Sequence, residues 1–314
     1  MCWLCNDYRE LKTQAWKVNR LVCEYPNSYV IVPQDSHVKH HLIVALREHR
    51  RGLIDCSADD LTHILESLLS ACKALKNMSY KHIYAGCYSD EGHVHFHLIP
   101  FNIDIDKSYD RLVPHWLAEK EFHTAVYNFD HMNSKQKKVR LREIEIIAEE
   151  VRAGWQISAE DTNEDKDDEQ CKCSFCNDCN KYVASLDLEH SNSYVIVPDD
   201  PHIKHDLIVI CQNHRRGLID CSVDDLAYIG KSLANVCQGL KTMGYSHIYQ
   251  GCYPSEGHVL LRLIPFNMGI DKSYDGFAMN WLAEKERATV KCSKEERIRE
   301  IRTALTAVLA RERK

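Results

Sequence analysis

The 314-residue sequence has no apolar run approaching the roughly 18 residues that a membrane-spanning helix needs. It also has no excess of basic charge: 40 Lys and Arg stand against 46 Asp and Glu, a net −6. That balance excludes a general basic field that would draw the protein onto nucleic acid or an anionic membrane. The opening residues, Met1-Cys2-Trp3-Leu4-Cys5, lack the basic and apolar segments of a secretion signal. Fifteen cysteines without such a signal lead us to expect a reducing, cytoplasmic setting, with some thiols on metal and the rest packed. Cys56, Cys87, Cys221 and Cys252 read as small core residues.

What the sequence does have is itself twice. Asn27-Ser-Tyr-Val-Ile-Val-Pro33 recurs from Asn192, His49-Arg-Arg-Gly-Leu-Ile-Asp-Cys-Ser57 from His214, and Gly86-Cys-Tyr88 from Gly251, all 165 residues on. Cys2-x-x-Cys5-Asn-Asp matches Cys173-x-x-Cys176-Asn-Asp. Between the copies, residues 156–170 are acidic, polar and almost free of apolar side chains, which predicts a flexible linker. The expected organisation is a first domain over 1–155, the linker, and a second domain over 171–314.

Apolar spacing predicts the elements. Ser28–Pro33, Leu42–Val44 and His82–Cys87 read as strands. Ser57–Asn77 reads as a helix, with Leu61, Ile64, Leu65, Leu68, Leu69, Cys72 and Leu75 on one stripe and Ser57-x-x-Asp60 as its cap. Further helices are expected after Ser134 and near Ser293. The class is α+β, each copy an antiparallel sheet of about five strands with two main helices.

The segment His93-Val-His-Phe-His-Leu-Ile-Pro100 carries the chemistry. On a strand, alternate side chains share a face. His93, His95 and His97 therefore form a row of imidazoles, while Val94, Phe96 and Leu98 feed a core. Imidazole serves near neutral pH as nucleophile, acid or base, or metal ligand. The copies sort these roles. Cys2, Cys5, His49 and His93 are answered by Cys173, Cys176, His214 and His258, all retained. His41, His95 and His97 are answered by Asp206, Leu260 and Arg262, all replaced. The retained set reads as structural and the set found only in the first copy as chemical. Two Cys and two His satisfy tetrahedral zinc with no open position, so about two structural zinc ions per chain are expected. In the second copy, Cys171 and Cys179 are alternative ligands, with Cys173 and Cys176 favoured by the Cys-Asn-Asp match.

The pattern His-φ-His-φ-His-φ-φ, with φ apolar, is filled by His93 to Ile99 and resembles the signature of the histidine triad superfamily of nucleotide hydrolases and transferases. His41-Leu-Ile-Val-Ala-Leu-Arg-Glu-His49 is similar to that family's upstream pair of histidines. The resemblance covers most of 1–121 and, more weakly, 171–286. It implies that His95 is a nucleophile toward the α-phosphorus of a nucleotide, that His97 and His41 bond phosphate oxygens or the leaving group, and that Ser89 binds phosphate. It further implies a metal role for His93, as in zinc-bearing members and in the related galactose-1-phosphate uridylyltransferases. That branch has glutamine at the third triad position; His97 here favours a hydrolase acting on a phosphoramidate, a dinucleoside polyphosphate or an adenylylated substrate. Simple members are homodimers joined edge to edge, so two copies in one chain imply an intramolecular pseudo-dimer, with further oligomerisation left open. The rival readings are a non-catalytic nucleotide-binding or scaffolding module, and a nucleotidyltransferase.

Overall fold

The computed structural model describes residues 3–12, 20–34, 36, 38–87, 92–102, 132–157, 192–198, 204–215, 217–252, 258–267 and 293–312. In the first copy these form α1 (Trp3–Lys12), β1 (Leu21–Glu24), β2 (Ser28–Ile31), β3 (Leu42–Leu46), α2 (Ala58–Asn77), β4 (His82–Cys87), β5 (His95–Phe101) and α3 (Ser134–Ile157). In the second they form β6 (Ser193–Ile196), β7 (Leu207–Cys211), α4 (Val223–Thr242), β8 (His247–Cys252), β9 (Leu260–Phe266) and α5 (Lys294–Glu312). The expected helices and strands are present, and the class is α+β. The sheet differs from the expected pair of five-stranded sheets: all nine described strands lie in one antiparallel sheet, in the order β1-β2-β3-β5-β4-β8-β9-β7-β6. The copies meet where β4 pairs with β8, Gly86 facing Gly251. Both α1 and β1 went unread in the sequence. Residues 158–170 of the expected linker lie outside the described residues, and α3 runs to Ile157.

Alternation fixes what each face does. Val30, Val44, Phe96, Leu98, Ala85 and Cys87 point to the face covered by the helices, where they join Leu61, Ile64, Leu65 and Leu68 of α2 in one core that continues into the second copy. The opposite face carries Tyr29, Ile31, Ile43 and Ala45 beneath Leu4 and Tyr8 of α1. Because Ala45 pairs with His95 and Ile43 with His97, those two histidines share the face of α1, away from the main helix layer. Burial pushes the thiols of Cys56, Cys221 and Cys252 up, which keeps them protonated and agrees with their reading as core residues. Among the described residues no helix is long and apolar enough to cross a membrane.

Helix α2 starts where the sequence places its cap. Asp60 N–H donates to Ser57 Oγ (3.1 Å) and Ser57 N–H to Asp60 Oδ2 (3.0 Å), and Ser222 with Asp225 repeats both bonds in α4. Arg50 and Arg215 donate from Nε to those same aspartates, at 2.9 and 2.7 Å, so both arginines have structural roles. The helix ends differ. After α4 the chain turns left-handed at Gly244, φ 91°, but after α2 the equivalent residue is Ser79, φ 69°. A side chain there crowds the backbone; glycine does not. Ser79→Gly should therefore raise the free energy of unfolding by about 1 kcal/mol. Urea denaturation checks this, and an unchanged or lowered stability would show that Ser79 is not strained.

Candidate active site and metal centre

Strand β5 brings His95 and His97 onto one face, and the turn before β3 brings His41 to them. His41 and His95 are fully buried and His97 is partly exposed. His95 Nδ1–H donates to the carbonyl of His93 (2.8 Å). His95 Nε2 lies 3.0 Å from His97 Nε2, and His97 Nδ1 lies 2.8 Å from His41 Nε2. With all three rings neutral, one proton arrangement satisfies these contacts. The carbonyl can only accept, so the His95 proton sits on Nδ1 and its Nε2 carries a lone pair. His97 must then donate from Nε2 and accept at Nδ1, and His41 must donate from Nε2. The result is a nucleophilic nitrogen followed by two imidazoles that can pass a proton along the line.

The neighbouring cluster is of a different kind. Cys5, at the start of α1, places Sγ 3.3 Å from His93 Nδ1 and 3.5 Å from His49 Nδ1, and all three ligand atoms lie within 4.8 Å of one another. His93 Nε2–H donates to the Leu46 carbonyl (2.9 Å), which leaves the lone pair on Nδ1 facing the sulfur. Burial pushes the His93 imidazole down to about 4, so it is neutral and able to ligate at pH 7. Tetrahedral zinc with ordinary Zn–S and Zn–N bonds sets its S and N ligands about 3.5 Å apart. The observed separations match that edge length, so these residues fit a zinc ion. Gly92, with φ 65°, makes the left-handed turn that leads the chain into His93. In the second copy, His214 and His258 keep the same mutual pose, ring centroids 5.4 Å apart at 89° against 5.2 Å and 81° for His49 and His93. His258 instead donates from Nδ1 to the Val259 carbonyl (3.1 Å). Cys2, Cys173, Cys176 and Ser89 lie outside the described residues.

No family model matches the sequence, and no curated protein matches it. Solved structures do. A uridylyltransferase superposes with TM-score 0.53 at 15% identity, over 85% of this chain and 75% of its own. An ADP-glucose phosphorylase from Arabidopsis thaliana with bound ADP-glucose gives 0.53 at 12%, over 88% and 82%. A GalT-like protein from the same plant gives 0.54 at 13%, over 90% and 87%. Each likeness spans both copies at once. The chain shares the fold of these three proteins.

The second copy fills the positions of the three histidines differently. Asp206 replaces His41 and Arg262 replaces His97, and the two form an ion pair with Arg262 Nε 3.1 and 3.0 Å from the carboxylate oxygens. Asp206 is fully buried and the Arg262 side chain 14% exposed. Leu260, in the place of His95, packs with Ile196, Ile208 and Ile210. The register explains the filling. His95 faces Ala45, which leaves room for the imidazole, whereas Leu260 faces Ile210. The signal in sequence was Ala45 against Ile210.

One pair of networks has no signal in local spacing, because its members lie far apart in the sequence. His40 accepts at Nδ1 from Tyr80 O–H (2.6 Å) and donates from Nε2 to Glu150 of α3 (2.8 Å). His205 does the same with Tyr245 (2.7 Å) and Glu300 of α5 (2.6 Å). Burial lowers both imidazoles, which favours the neutral rings that this bonding needs. Their presence in the copy without a triad makes them tethers for the terminal helices.

Breaking the Asp206–Arg262 pair from one side should destabilise the second copy, because it strands a buried charge. Arg262→Met leaves the buried carboxylate without its guanidinium, and stability should fall by about 3 kcal/mol. Adding Asp206→Ala should recover most of that loss. A fall below about 0.5 kcal/mol in urea denaturation of the single variant would show that the pair holds nothing.

Proposed function

We propose that the first copy is a nucleotide hydrolase that works through a nucleotidyl-histidine intermediate on His95. The observation that carries this is the His95 ring, pinned at Nδ1 so that Nε2 presents its lone pair, with His97 and His41 in line behind it. In the first step His95 Nε2 attacks the α-phosphorus. The new N–P bond forms as the bond to the leaving group breaks, and the leaving group takes the proton from His97 Nε2. The bond from His41 Nε2–H to His97 Nδ1 steadies the ring while that proton is away. In the second step the oxygen of a water attacks the same phosphorus and its proton returns to His97 Nε2, the N–P bond breaks, and His95 is restored with its lone pair on Nε2 and its proton on Nδ1. His97 must first give up its bond to His95 Nε2, exchanging it for a phosphate oxygen. One displacement is divided into two of lower barrier.

The uridylyltransferase and the ADP-glucose phosphorylase of like fold favour a nucleotide substrate and also a second reading, transfer to an acceptor other than water. An added alcohol or phosphate acceptor that captures the nucleotidyl group in preference to water would favour transfer. The third triad position, His97, supports hydrolysis.

In this reading residues 1–155 are the catalytic domain, 156–170 the linker and 171–314 a degenerate domain. The copies act as a pseudo-dimer within the chain, supported by the β4–β8 pairing and by two equivalent ion pairs, Lys241 with Asp55 (2.8 Å) and Lys76 with Asp220 (4.0 Å). Zinc would be held by Cys2, Cys5, His49 and His93, and by Cys173, Cys176, His214 and His258. It would tie the N-terminal helix to the sheet without entering the chemistry.

The two roles separate in variants. His95→Ala should lower release of mononucleotide from a phosphoramidate, dinucleoside polyphosphate or adenylylated substrate by more than about a thousandfold, with metal content unchanged. Cys5→Ser should lower bound zinc by about one equivalent. Near-normal turnover in His95→Ala would remove that residue from the mechanism.

A further inference from the structure

The register of the sheet sets one row of residues across both copies on the catalytic face. Ile43 faces His97, His97 faces Gly86, Gly86 faces Gly251, and Gly251 faces Arg262. Three strand spacings, about 14 Å, separate His97 from Arg262. The middle two members have no side chain, and they mark the joint between the copies. Glycine inside a strand often marks a close approach by another group.

The approaching groups are two tyrosines. Tyr84 lies two residues before Gly86 on the same face, and Tyr249 lies two before Gly251. The strands are antiparallel, so the tyrosines stand at opposite ends of the glycine pair and lean toward each other across it. Their hydroxyls are hydrogen-bonded, and both residues are 0–1% exposed. A Cβ on Gly86 would meet Tyr84 Oη at 2.6 Å, Cε1 at 2.8 Å and Cζ at 3.0 Å. The Tyr84 phenol therefore occupies the place where a side chain at residue 86 would begin. Opposed residues on neighbouring strands have Cβ atoms about 5 Å apart. The phenol thus stands as the next neighbour of His97 in the row, on the side away from Ile43.

We infer that Tyr249, in the copy without a triad, is a positioning residue for the triad of the first copy: its hydrogen bond to Tyr84 holds that ring over Gly86, beside His97. This rests on the hydrolase reading for its kinetic consequence but not for its geometry. His97 must move from His95 to a phosphate oxygen in each turnover, so the wall beside it sets where the imidazole can go. The two copies then form one catalytic unit, in which the second supplies part of the frame of the first.

The test compares Tyr249→Phe, which keeps the ring and removes the hydroxyl, with Lys241→Ala. Lys241 also joins the copies, through Asp55, but its bond lies in the helix layer. Tyr249→Phe should lower kcat about three- to tenfold, the range of one neutral hydrogen bond, with KM within about twofold. Tyr84→Phe should match it, and the double variant should be no worse than either single one, since both remove the same bond. Lys241→Ala should leave kcat and KM unchanged. A second readout needs no activity: the imidazole 15N resonances of His97, assigned by their loss in His97→Gln, should shift in Tyr249→Phe and stay in place in Lys241→Ala. Unmoved His97 resonances in Tyr249→Phe, or equal shifts in both variants, overturn the inference. If the wild type turns over none of the nucleotide substrates, the hydrolase reading fails and the resonances alone decide this one.

Discussion

The hydrogen bond from His95 Nδ1 to the His93 carbonyl is the constraint on which the rest of the site depends. A carbonyl cannot donate, so this bond fixes the tautomer of His95, and His95 in turn fixes those of His97 and His41. The donor opens β5, and the acceptor lies two residues earlier, in the bend that leads into the strand. The expected row of three imidazoles on one strand is thus a pair, His95 and His97, with His93 just ahead of it supplying the carbonyl that orients His95. The same strand start delivers His93 toward Cys5 with its own Nε2–H spent on Leu46. One segment holds the proposed metal ligand and the proposed nucleophile side by side, each oriented by a different backbone carbonyl.

The second copy shows what that arrangement requires. Without imidazoles, the same space is filled by apolar packing and by an ion pair. Leu260 and Ile210 pack together, and the Asp206–Arg262 pair stands where the first copy has His41 and His97. Like the first copy, it has a strand at the joint, a capping box and a His–Tyr–Glu tether. The strand pairs the copies through β4 and β8, the box starts α4, and the tether holds α5.

Much of this was legible because the sequence prints the fold twice and the chemistry once. The strand of alternating histidines, the stripe of α2 and its Ser57–Asp60 box each follow from local spacing. What escaped depends on contacts between distant residues. Helix α1 has Leu4 buried on the sheet, and without that surface its ten residues read only as a Cys-x-x-Cys segment. Strand β1 is four residues long with a register shift between Leu21 and Cys23, too short and irregular to show alternation. The tether of His40 reaches 110 residues to Glu150. In the second copy the helix presents its glutamate 95 residues from His205, so even the repeat did not align the pair. The meeting of Tyr84 and Tyr249 is likewise a property of the joined sheet and of neither copy alone.

The central claim is that His95 becomes covalently nucleotidylated. The direct measurement is to mix the protein with an adenylylated or phosphoramidate nucleotide, quench within the first turnover under alkaline denaturing conditions that preserve an N–P bond, and map the adduct by peptide mass spectrometry. The account predicts one nucleotidyl group on the peptide containing residues 93–97, localised to His95 and absent in His95→Ala. An adduct on another residue, or turnover with no adduct on His95 at any quench time, would contradict it.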